Sequence, residues 1–360
     1  PTMSDVYLQE FADFVETFGR VAIPKELPYC FFVEGGALAV ENALKTAFDW
    51  KTRKNWQKGS KTEGSMAIHF KQAFHGRSGY TLSLTNTSDP RKYQYFPLFD
   101  WPRIINPKLH FPITEENLQE TIKNEQLALV EIEQAILMNP DKVSCIIIEV
   151  IQAEGGDNHF RDEFFVELRK ICDENDILLI FDEVQTGIGI TGKMWAFQNF
   201  SVIPDVISFG KKTQVCGILA NKEKLNQVEH HVFAESSRIN STFGGNFIDM
   251  LRFQLVLEII EKENLLENVQ KQGAFLLKGL QNLQEKYPQL ISNARGKGLM
   301  CAFDLPTGEI RKDFQEKLYE ENVIILICGD CSLRFRPHLN VSQEDLQFAL
   351  DKIEKIVQKY

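Results

Sequence analysis

The sequence predicts an α/β protein with a mostly parallel sheet and helices on both faces. Short apolar runs rich in β-branched residues alternate with amphipathic stretches along most of the chain. The runs are almost continuously apolar, which is typical of parallel strands that are buried on both sides. The chain has 360 residues, 43% of them hydrophobic, which is enough for a large core and two domains.

The predicted elements of the larger domain, residues 1–265, follow in chain order. Its strands are the runs YCFFV at 29–33, MAIHF at 66–70, VSCIIIEV at 143–150, ILLIF at 177–181 and DVISF at 205–209. Its main helices are predicted at 37–54, 116–138 and 162–175. The alternation of strand and helix places helices over both faces of the sheet.

Residues 266–360 differ in character and predict a smaller C-terminal α+β domain. A long amphipathic helix ends near Tyr287, and it is followed by LMCAFDL, a helix, VIILI, SLRFRP and a final helix. The chain begins at Pro1, without an initiator methionine and already inside a helical pattern. We therefore expect an N-terminal segment to precede it.

The composition of the chain argues against several classes of binding partner. A formal net charge of −10 argues against a broad surface for nucleic acid or for an anionic membrane. No apolar run approaches the ~18 to 20 residues of a bilayer helix, and no cleavable leader opens the chain, so we interpret the protein as cytoplasmic. The seven cysteines are expected to be reduced thiols. Cys328 and Cys331 have the spacing of a zinc half-site, but no second pair or nearby histidine completes it, so no metal is expected.

Two loops that follow predicted strands carry residues suited to a flat, phosphorylated ligand. In EGGALAV, Gly35 and Gly36 permit close approach of the backbone, and Ala37 begins a helix whose first backbone amides are free to bind phosphate. In FHGRSGY, Phe74, His75 and Arg77 offer a ring for stacking and a guanidinium for a carboxylate. Each feature alone is more often an ordinary turn, a packed ring or a surface charge.

Two further strand ends supply a carboxylate and a lysine. Asp182 ends the strand ILLIF, at the edge where open α/β sheets bind ligands, although a helix cap or a structural ion pair would also explain it. Lys211 and Lys212 follow the strand DVISF directly after Gly210. A phosphate cradle, a stacking ring, a strand-end aspartate and a strand-end lysine are together what pyridoxal 5'-phosphate needs.

A nucleotide-hydrolase interpretation of the same region is weaker. The run GIGITGK, Gly187 to Lys193, fits the GxxxxGK part of a phosphate loop. Met194, however, stands where a serine or threonine must bind magnesium, and the acidic strand end precedes the loop instead of following it.

Four motifs together resemble those of the class-III aminotransferases, and the resemblance extends over essentially the whole chain. The motifs are DEVQTGxGxTG, PDVISFGK, NSTFGGN and LRFRP. The resemblance implies the aspartate-aminotransferase-like fold, which is fold type I of the pyridoxal-phosphate enzymes. Four other stretches resemble, more narrowly, the branch of this family that acts on the ε-amino group of lysine. They are FFVEGGALAVENALKTAFDWK, FHGRSGYTLSLTNT, EGGDNHF and GKKTQVCG. Two departures from the wider family fit that branch. Ile190 stands where most of the family carries arginine, and EGGALAVENA replaces a serine-glycine turn.

The resemblance implies a role for each candidate residue. Lys211 would form the covalent bond to the cofactor, and Asp182 would pair with its pyridine nitrogen. Gln185 would form a hydrogen bond to the phenolic oxygen, and Phe74 would stack on the ring. The phosphate would be bound by the amides of Gly36 and Ala37 and, across a homodimer, by Thr242. Ser241 is the alternative to Thr242, and Lys212 would be only a neighbour of the catalytic lysine.

The implied reaction moves the ε-amino group of L-lysine to 2-oxoglutarate in a ping-pong cycle. The products would be L-glutamate and 2-aminoadipate 6-semialdehyde, which cyclises to piperideine-6-carboxylate. Arg334 would hold the 2-oxoglutarate carboxylate and Arg77 the α-carboxylate of lysine, and Glu154 would pair with Arg334 whenever that carboxylate is absent. A permanent salt bridge between Glu154 and Arg334 is the alternative. A sister enzyme that acts on ornithine or 4-aminobutyrate also stays open.

Overall fold

The structure, a computed structural model, describes residues 7–360 and contains two β-sheets. The larger sheet has seven strands: β1 (Tyr29–Val33), β2 (Met66–Phe70), β3 (Arg103–Ile104), β4 (Val143–Glu149), β5 (Leu178–Asp182), β6 (Val206–Phe209) and β7 (Cys216–Ala220). The smaller sheet has four: β8 (Ser292–Lys297), β9 (Met300–Asp304), β10 (Leu326–Cys328) and β11 (Ser332–Phe335).

The larger sheet is parallel except for one strand. Its order is β1-β7-β6-β5-β4-β2-β3, and β7 runs antiparallel to both of its neighbours. In the parallel part Glu149 pairs with Asp182, and Asp182 pairs with Ser208. The carboxyl ends of β2, β4, β5 and β6 therefore meet at one edge, the edge at which such sheets bind ligands.

Ten helices are present in the described chain. They are α1 (Gln9–Val21), α2 (Gly36–Gln57), α3 (Gly79–Leu84), α4 (Glu115–Met138), α5 (Asp162–Glu174), α6 (Lys222–Leu225), α7 (Phe247–Lys262), α8 (Leu265–Lys286), α9 (Gly308–Glu320) and α10 (Gln343–Val357). None of those between residues 7 and 360 has the length and apolar character that a membrane crossing requires.

Helices cover both faces of the larger sheet, as the continuous apolar strands predict. Ile147 of β4 and Ile180 of β5 pack with Ala43 of α2 on one face. On the other face Ile148 and Phe181, the next residue of each strand, belong to the cluster that contains the aromatic residues of α1, α5 and α7. Because successive strand residues point to opposite faces, an apolar run of this kind fills two cores at once.

The five predicted strands and the three predicted helices of the larger domain are confirmed to within three residues at each end. The sequence analysis missed β3, β7 and β8. The run CGILA that forms β7 follows the lysine pair so closely that it was treated as part of that motif. β3 has only two residues, and the polar SNARGK of β8 shows no apolar alternation.

The smaller sheet is antiparallel throughout and packs against α8, α9 and α10, as the predicted α+β pattern of residues 266–360 requires. Several hydrogen bonds join this part of the chain to the loop after β4. Among them, the Gly329 amide donates to the Glu154 carbonyl at 2.8 Å, and Arg295 Nε donates to the Asp157 carbonyl at 3.0 Å. These bonds bring β11 close to the carboxyl edge of the larger sheet.

Candidate active site

A cavity of about 510 Å³ lies at the carboxyl edge of the larger sheet. It is lined by nine of the predicted site residues: Gly36, Ala37, Phe74, Arg77, Glu154, Asp182, Gln185, Lys211 and Arg334. These residues come from six separate segments of the chain, one of which is the start of α2. The parallel strands bring four of those segments together, and β11 supplies Arg334.

Asp182 is buried at the end of β5 and is fixed by three hydrogen bonds. His75 Nδ1 lies 2.8 Å from its Oδ2 atom, while Ser208 Oγ donates to its Oδ1 atom at 3.2 Å and the Val184 amide at 3.0 Å. The Nε2 atom of His75 is buried without a hydrogen-bond partner among the described residues. The carboxylate is therefore oriented for a group in the cavity.

The two lysines after β6 lie in different environments. Lys211 lines the cavity, and its backbone has a φ of 55°, a conformation that L-residues seldom adopt. Burial lowers its pKa, although the charges of Asp182 and Glu149 oppose that shift. Lys212 donates its amine to the Gln185 carbonyl, and burial lowers its pKa to about 7. Lys211 is thus the lysine whose amine faces the cavity.

The start of α2 lines the cavity with Gly36 and Ala37, and we call this helix start the phosphate cradle. Gly35 caps the helix with a φ of 91° and no side chain bonds to the first amides. A Cβ atom at Gly36 would lie 2.9 Å from Val184 Cγ1, and one at Gly76 would lie 2.7 Å from the Cβ of Ala37. The free amides and the positive end of the helix dipole favour an anion here.

Phe74 and Gln185 complete the part of the cavity that suits an aromatic ring. Phe74 lines the cavity, and Gln185 presents a buried Oε1 atom that has no partner within residues 7–360. An unpaired buried amide oxygen is costly unless a bound group satisfies it. Arg77 lies at the exposed rim of the cavity.

The analysis of the sequence missed Glu149, a buried carboxyl at the end of β4 next to Asp182. Its oxygens accept hydrogen bonds from the Phe74 amide at 2.8 Å and the Ala153 amide at 3.2 Å. Burial raises its pKa to about 7, and the negative charge of Asp182 adds to the rise. Its position as the last residue of the run VSCIIIE was the available signal, the same one that identified Asp182.

In the structure Arg334 and Glu154 each have another partner, and their pairing during the reaction stays a prediction. Arg334 Nη1 lies 3.2 Å from Oδ1 of Asp157, and both side chains are buried. Glu154 instead accepts from Lys92 Nζ at 3.2 Å. Asp157 is already the buried counter-ion of Arg334, and Lys92 offers Glu154 a second cation. Both Glu154 and Arg334 nevertheless line the cavity.

Thr242 and Ser241 lie outside the cavity of their own chain. Thr242 is exposed and Ser241 is half-buried, in the segment between α6 and α7. Phe243 beside them is 52% exposed. The role of Thr242 at a neighbouring subunit therefore stays a prediction.

The residues present fit pyridoxal phosphate. The cradle at Gly36 suits the phosphate, the unpaired Oε1 atom of Gln185 can accept a hydrogen bond from a phenolic O–H group, and the oriented carboxylate of Asp182 suits a protonated ring nitrogen. Lys211 supplies the amine.

Comparison with known sequences adds an independent finding. The family described as aminotransferase class-III matches residues 5–357. The L-lysine-epsilon aminotransferase of Mycobacterium tuberculosis is 49% identical over 351 residues, which are 97% of this chain and 77% of that protein. The enzyme of the same name from Streptomyces clavuligerus is 45% identical over 99% of this chain and 78% of its own length. Human mitochondrial 4-aminobutyrate aminotransferase is 35% identical over 88% of this chain and 65% of its own length.

Solved structures agree with these relationships. The lysine aminotransferase from M. tuberculosis in the internal aldimine form superposes with a TM-score of 0.96 at 48% identity, over 99% of this chain and 82% of that one. A transaminase from the marine bacterium Virgibacillus gives a TM-score of 0.81 at 21% identity, over all of this chain and 82% of that one, and shows the fold alone. The predicted aspartate-aminotransferase-like fold is confirmed.

Proposed function

The chain belongs to the class-III aminotransferases, and from this premise we propose that it transfers the ε-amino group of L-lysine to 2-oxoglutarate. It is a pyridoxal-phosphate-dependent aminotransferase. The observation that carries the proposal is that Lys211, Asp182 and Arg334 line one cavity. The choice of lysine rests on relatives of that name at 45–49% identity, against 35% for the human 4-aminobutyrate enzyme.

Pyridoxal phosphate, when bound, supplies an aldehyde that bonds to amines and a protonated ring that accepts the electron pair released at the reacting carbon. The amides of Gly36 and Ala37 would hold its phosphate and Phe74 would cover its ring. Gln185 would bond to its phenolic oxygen. Asp182, held by His75, would keep the ring nitrogen protonated.

Lys211 has two tasks in the proposed mechanism. Its amine would anchor the cofactor, and once an amine substrate has freed it, the same amine would take the proton from the reacting carbon and deliver it to the cofactor. Desolvation lowers the pKa of Lys211, so that more of the amine is neutral and able to act as a base. General base catalysis of this kind is worth ~10² to 10⁴-fold in rate.

The cations of the cavity wall would bind the substrate carboxylates. Arg334 would hold a carboxylate of 2-oxoglutarate in a bidentate bond, and Arg77 at the rim would hold the distant α-carboxylate of lysine. Glu154 would adjust the charge near Arg334 between the two half-reactions.

The proposed active unit is a homodimer with shared sites. Thr242 is exposed and lies away from its own cavity, as a residue that serves a neighbouring subunit would. In this arrangement Thr242 would bond to the phosphate held by the partner. Ser241 is the alternative.

Isotope transfer provides the most direct test of the proposed reaction. The holoenzyme is incubated with 2-oxoglutarate and L-lysine that carries ¹⁵N at either the ε or the α position, and the glutamate formed is analysed by mass spectrometry. We expect label in glutamate only from the ε position, with a co-product that has lost water by cyclisation. Label from the α position, or faster turnover of ornithine or 4-aminobutyrate than of lysine, would refute the assignment.

A further inference from the structure

Lys92 is a cation of the cavity wall that has no part in the mechanism above. It ends the short turn Pro90–Lys92, which is capped by Asp89, and its amine donates to Oε1 of Glu154 at 3.2 Å. The Lys92 side chain is 27% exposed and that of Glu154 is 43% exposed. The contact links segments 62 residues apart in the sequence.

The ion pair stands between two cavities. Lys92 and Glu154 line the active-site cavity, and they also line an adjoining cavity of about 320 Å³ that reaches Gly329. Arg334 and Arg336 line only the first. The Glu154 side chain therefore has space on the side of Lys92 that is away from the two arginines.

The backbone of Glu154 is held in place, whereas its side chain is partly exposed. Its carbonyl accepts a hydrogen bond from the Gly329 amide at 2.8 Å. A Cβ atom at the next residue, Gly155, would lie 2.1 Å from the Gln72 carbonyl oxygen, so the loop is packed directly on backbone. Rotation of the Glu154 side chain is then the simplest way to change the charge beside Arg334.

We infer that Lys92 is a specificity-determining residue that draws Glu154 away from Arg334 and so leaves Arg334 open to a dicarboxylate. The inference rests on the proposed function. Arg334 already has a buried partner in Asp157, so a second carboxylate from Glu154 would compete directly with the substrate. Without Lys92, the cations in the described lining of this cavity are Arg77, Lys211, Arg334 and Arg336, and two of them, Arg77 and Arg334, are the proposed substrate anchors. Lys92 is thus a positioning residue for the dicarboxylate half-reaction.

Glutarate, a dicarboxylate with no keto group, tests the inference by calorimetric titration of the holoenzyme. We expect Lys92→Met to raise the glutarate Kd by about 2- to 5-fold, the range for a partly exposed ion pair. Lys92→Arg should restore the wild-type Kd. Arg91→Met is the matched control, because Arg91 pairs with Asp89 and lines neither cavity.

A double-mutant cycle separates the action of Lys92 through Glu154 from the effect of its own charge. In a Glu154→Gln background, Lys92→Met should leave the glutarate Kd unchanged. An equally large loss in that background would overturn the inference, since Lys92 would then attract the dianion directly.

Single-turnover half-reactions give a second readout. Lys92→Met should slow the reaction with 2-oxoglutarate at low concentration and leave the reaction with L-lysine unchanged. Equal losses in both would indicate general damage and would also overturn the inference. If the wild type fails to react with L-lysine, the proposed function falls, while the glutarate titration still decides the role of Lys92.

Discussion

His75 Nδ1 lies 2.8 Å from Oδ2 of Asp182, and both side chains are buried at the carboxyl edge of the parallel sheet. The histidine reaches Asp182 from the loop after β2, two strands away in the sheet. With Ser208 and the Val184 amide on the other oxygen, the carboxylate has little freedom to rotate. The sequence offered His75 only as part of FHGRSGY, and the structure gives it a defined partner.

Asp182→Asn is expected to retain the cofactor but to lose most of the catalytic rate. The phosphate cradle at Gly36 does not depend on Asp182, whereas a neutral ring nitrogen cannot stabilise the charge that develops at the reacting carbon. We expect a fall of about 10²-fold or more in both half-reactions, measured by single turnover. Ser208→Ala is the control, because it removes one hydrogen bond of about 1 kcal/mol and keeps the charge. Near wild-type rates in Asp182→Asn would remove Asp182 from the mechanism.

The two adjacent lysines can be distinguished by a chemical label. Borohydride reduction of the holoenzyme fixes the cofactor on its lysine, and peptide mass mapping should find it on Lys211. Lys211→Ala should fold and bind cofactor without turnover, since no amine then serves the reacting carbon. Lys212→Ala should keep much of its activity, because that amine bonds to the Gln185 carbonyl. A label on Lys212 would reverse the assignment.

Five strands of the larger sheet and the strand-end residues Asp182 and Lys211 could be predicted because they depend on local pattern. A continuous apolar run such as 143–150 indicates a buried strand. A polar residue at the carboxyl end of such a strand is predicted to line the ligand-binding site. The choice of ion-pair partners could not be predicted. Arg334 and Asp157 are 177 residues apart, and the sequence analysis named only Glu154 as a partner of Arg334. Only packing of the smaller sheet on the loop after β4 decides the partner of Arg334.

Gly36→Ala is expected to weaken binding of the phosphate group. The new Cβ atom would lie 2.9 Å from Val184 Cγ1, and relief of the clash moves either Val184 or the start of α2. A cost of about 1–3 kcal/mol predicts at least a several-fold rise in the pyridoxal phosphate Kd. Equilibrium dialysis measures it, and pyridoxal, which lacks the phosphate, should bind unchanged. Gly19→Ala in α1 is the control, because nothing lies within 4 Å of its Cβ position.

Glu149 predicts a pH dependence of stability with a definite sign. Burial raises its pKa in the folded state to about 7, from an ordinary value of 4.5. The stability that the buried, protonated Glu149 contributes is fully present below pH 4.5 and is lost as the pH rises to about 7. It is lost because Glu149 ionises at a lower pH in the unfolded chain than in the folded protein. Relative to Glu149→Gln, wild type should lose roughly 2–3 kcal/mol of unfolding free energy across that interval. Urea unfolding of both proteins at several pH values checks this, and a constant difference would contradict it.

The buried pair of Arg334 and Asp157 permits a separation of stability from catalysis. Arg334→Met should remove the dicarboxylate half-reaction, because the guanidinium is the proposed anchor of the 2-oxoglutarate carboxylate. It also leaves Asp157 buried without its counter-ion, which typically costs about 3–5 kcal/mol. Burial already raises the pKa of Asp157 to about 6 while Arg334 opposes the rise, so the lone carboxyl should gain a proton more readily.

A second substitution should therefore restore the stability of Arg334→Met but not its reaction with 2-oxoglutarate. Adding Asp157→Asn to Arg334→Met removes the unpaired charge, and the Arg295 bond to the Asp157 carbonyl is kept because it uses only the backbone. We expect the double variant to regain most of the lost unfolding free energy at pH 7.5 and to remain inactive with 2-oxoglutarate in single turnover. Its reaction with L-lysine should return with stability, since Arg77 and Lys211 are untouched. Recovery of the 2-oxoglutarate half-reaction would show that Arg334 serves the fold alone and that another cation, Arg336 or Lys92, holds the substrate.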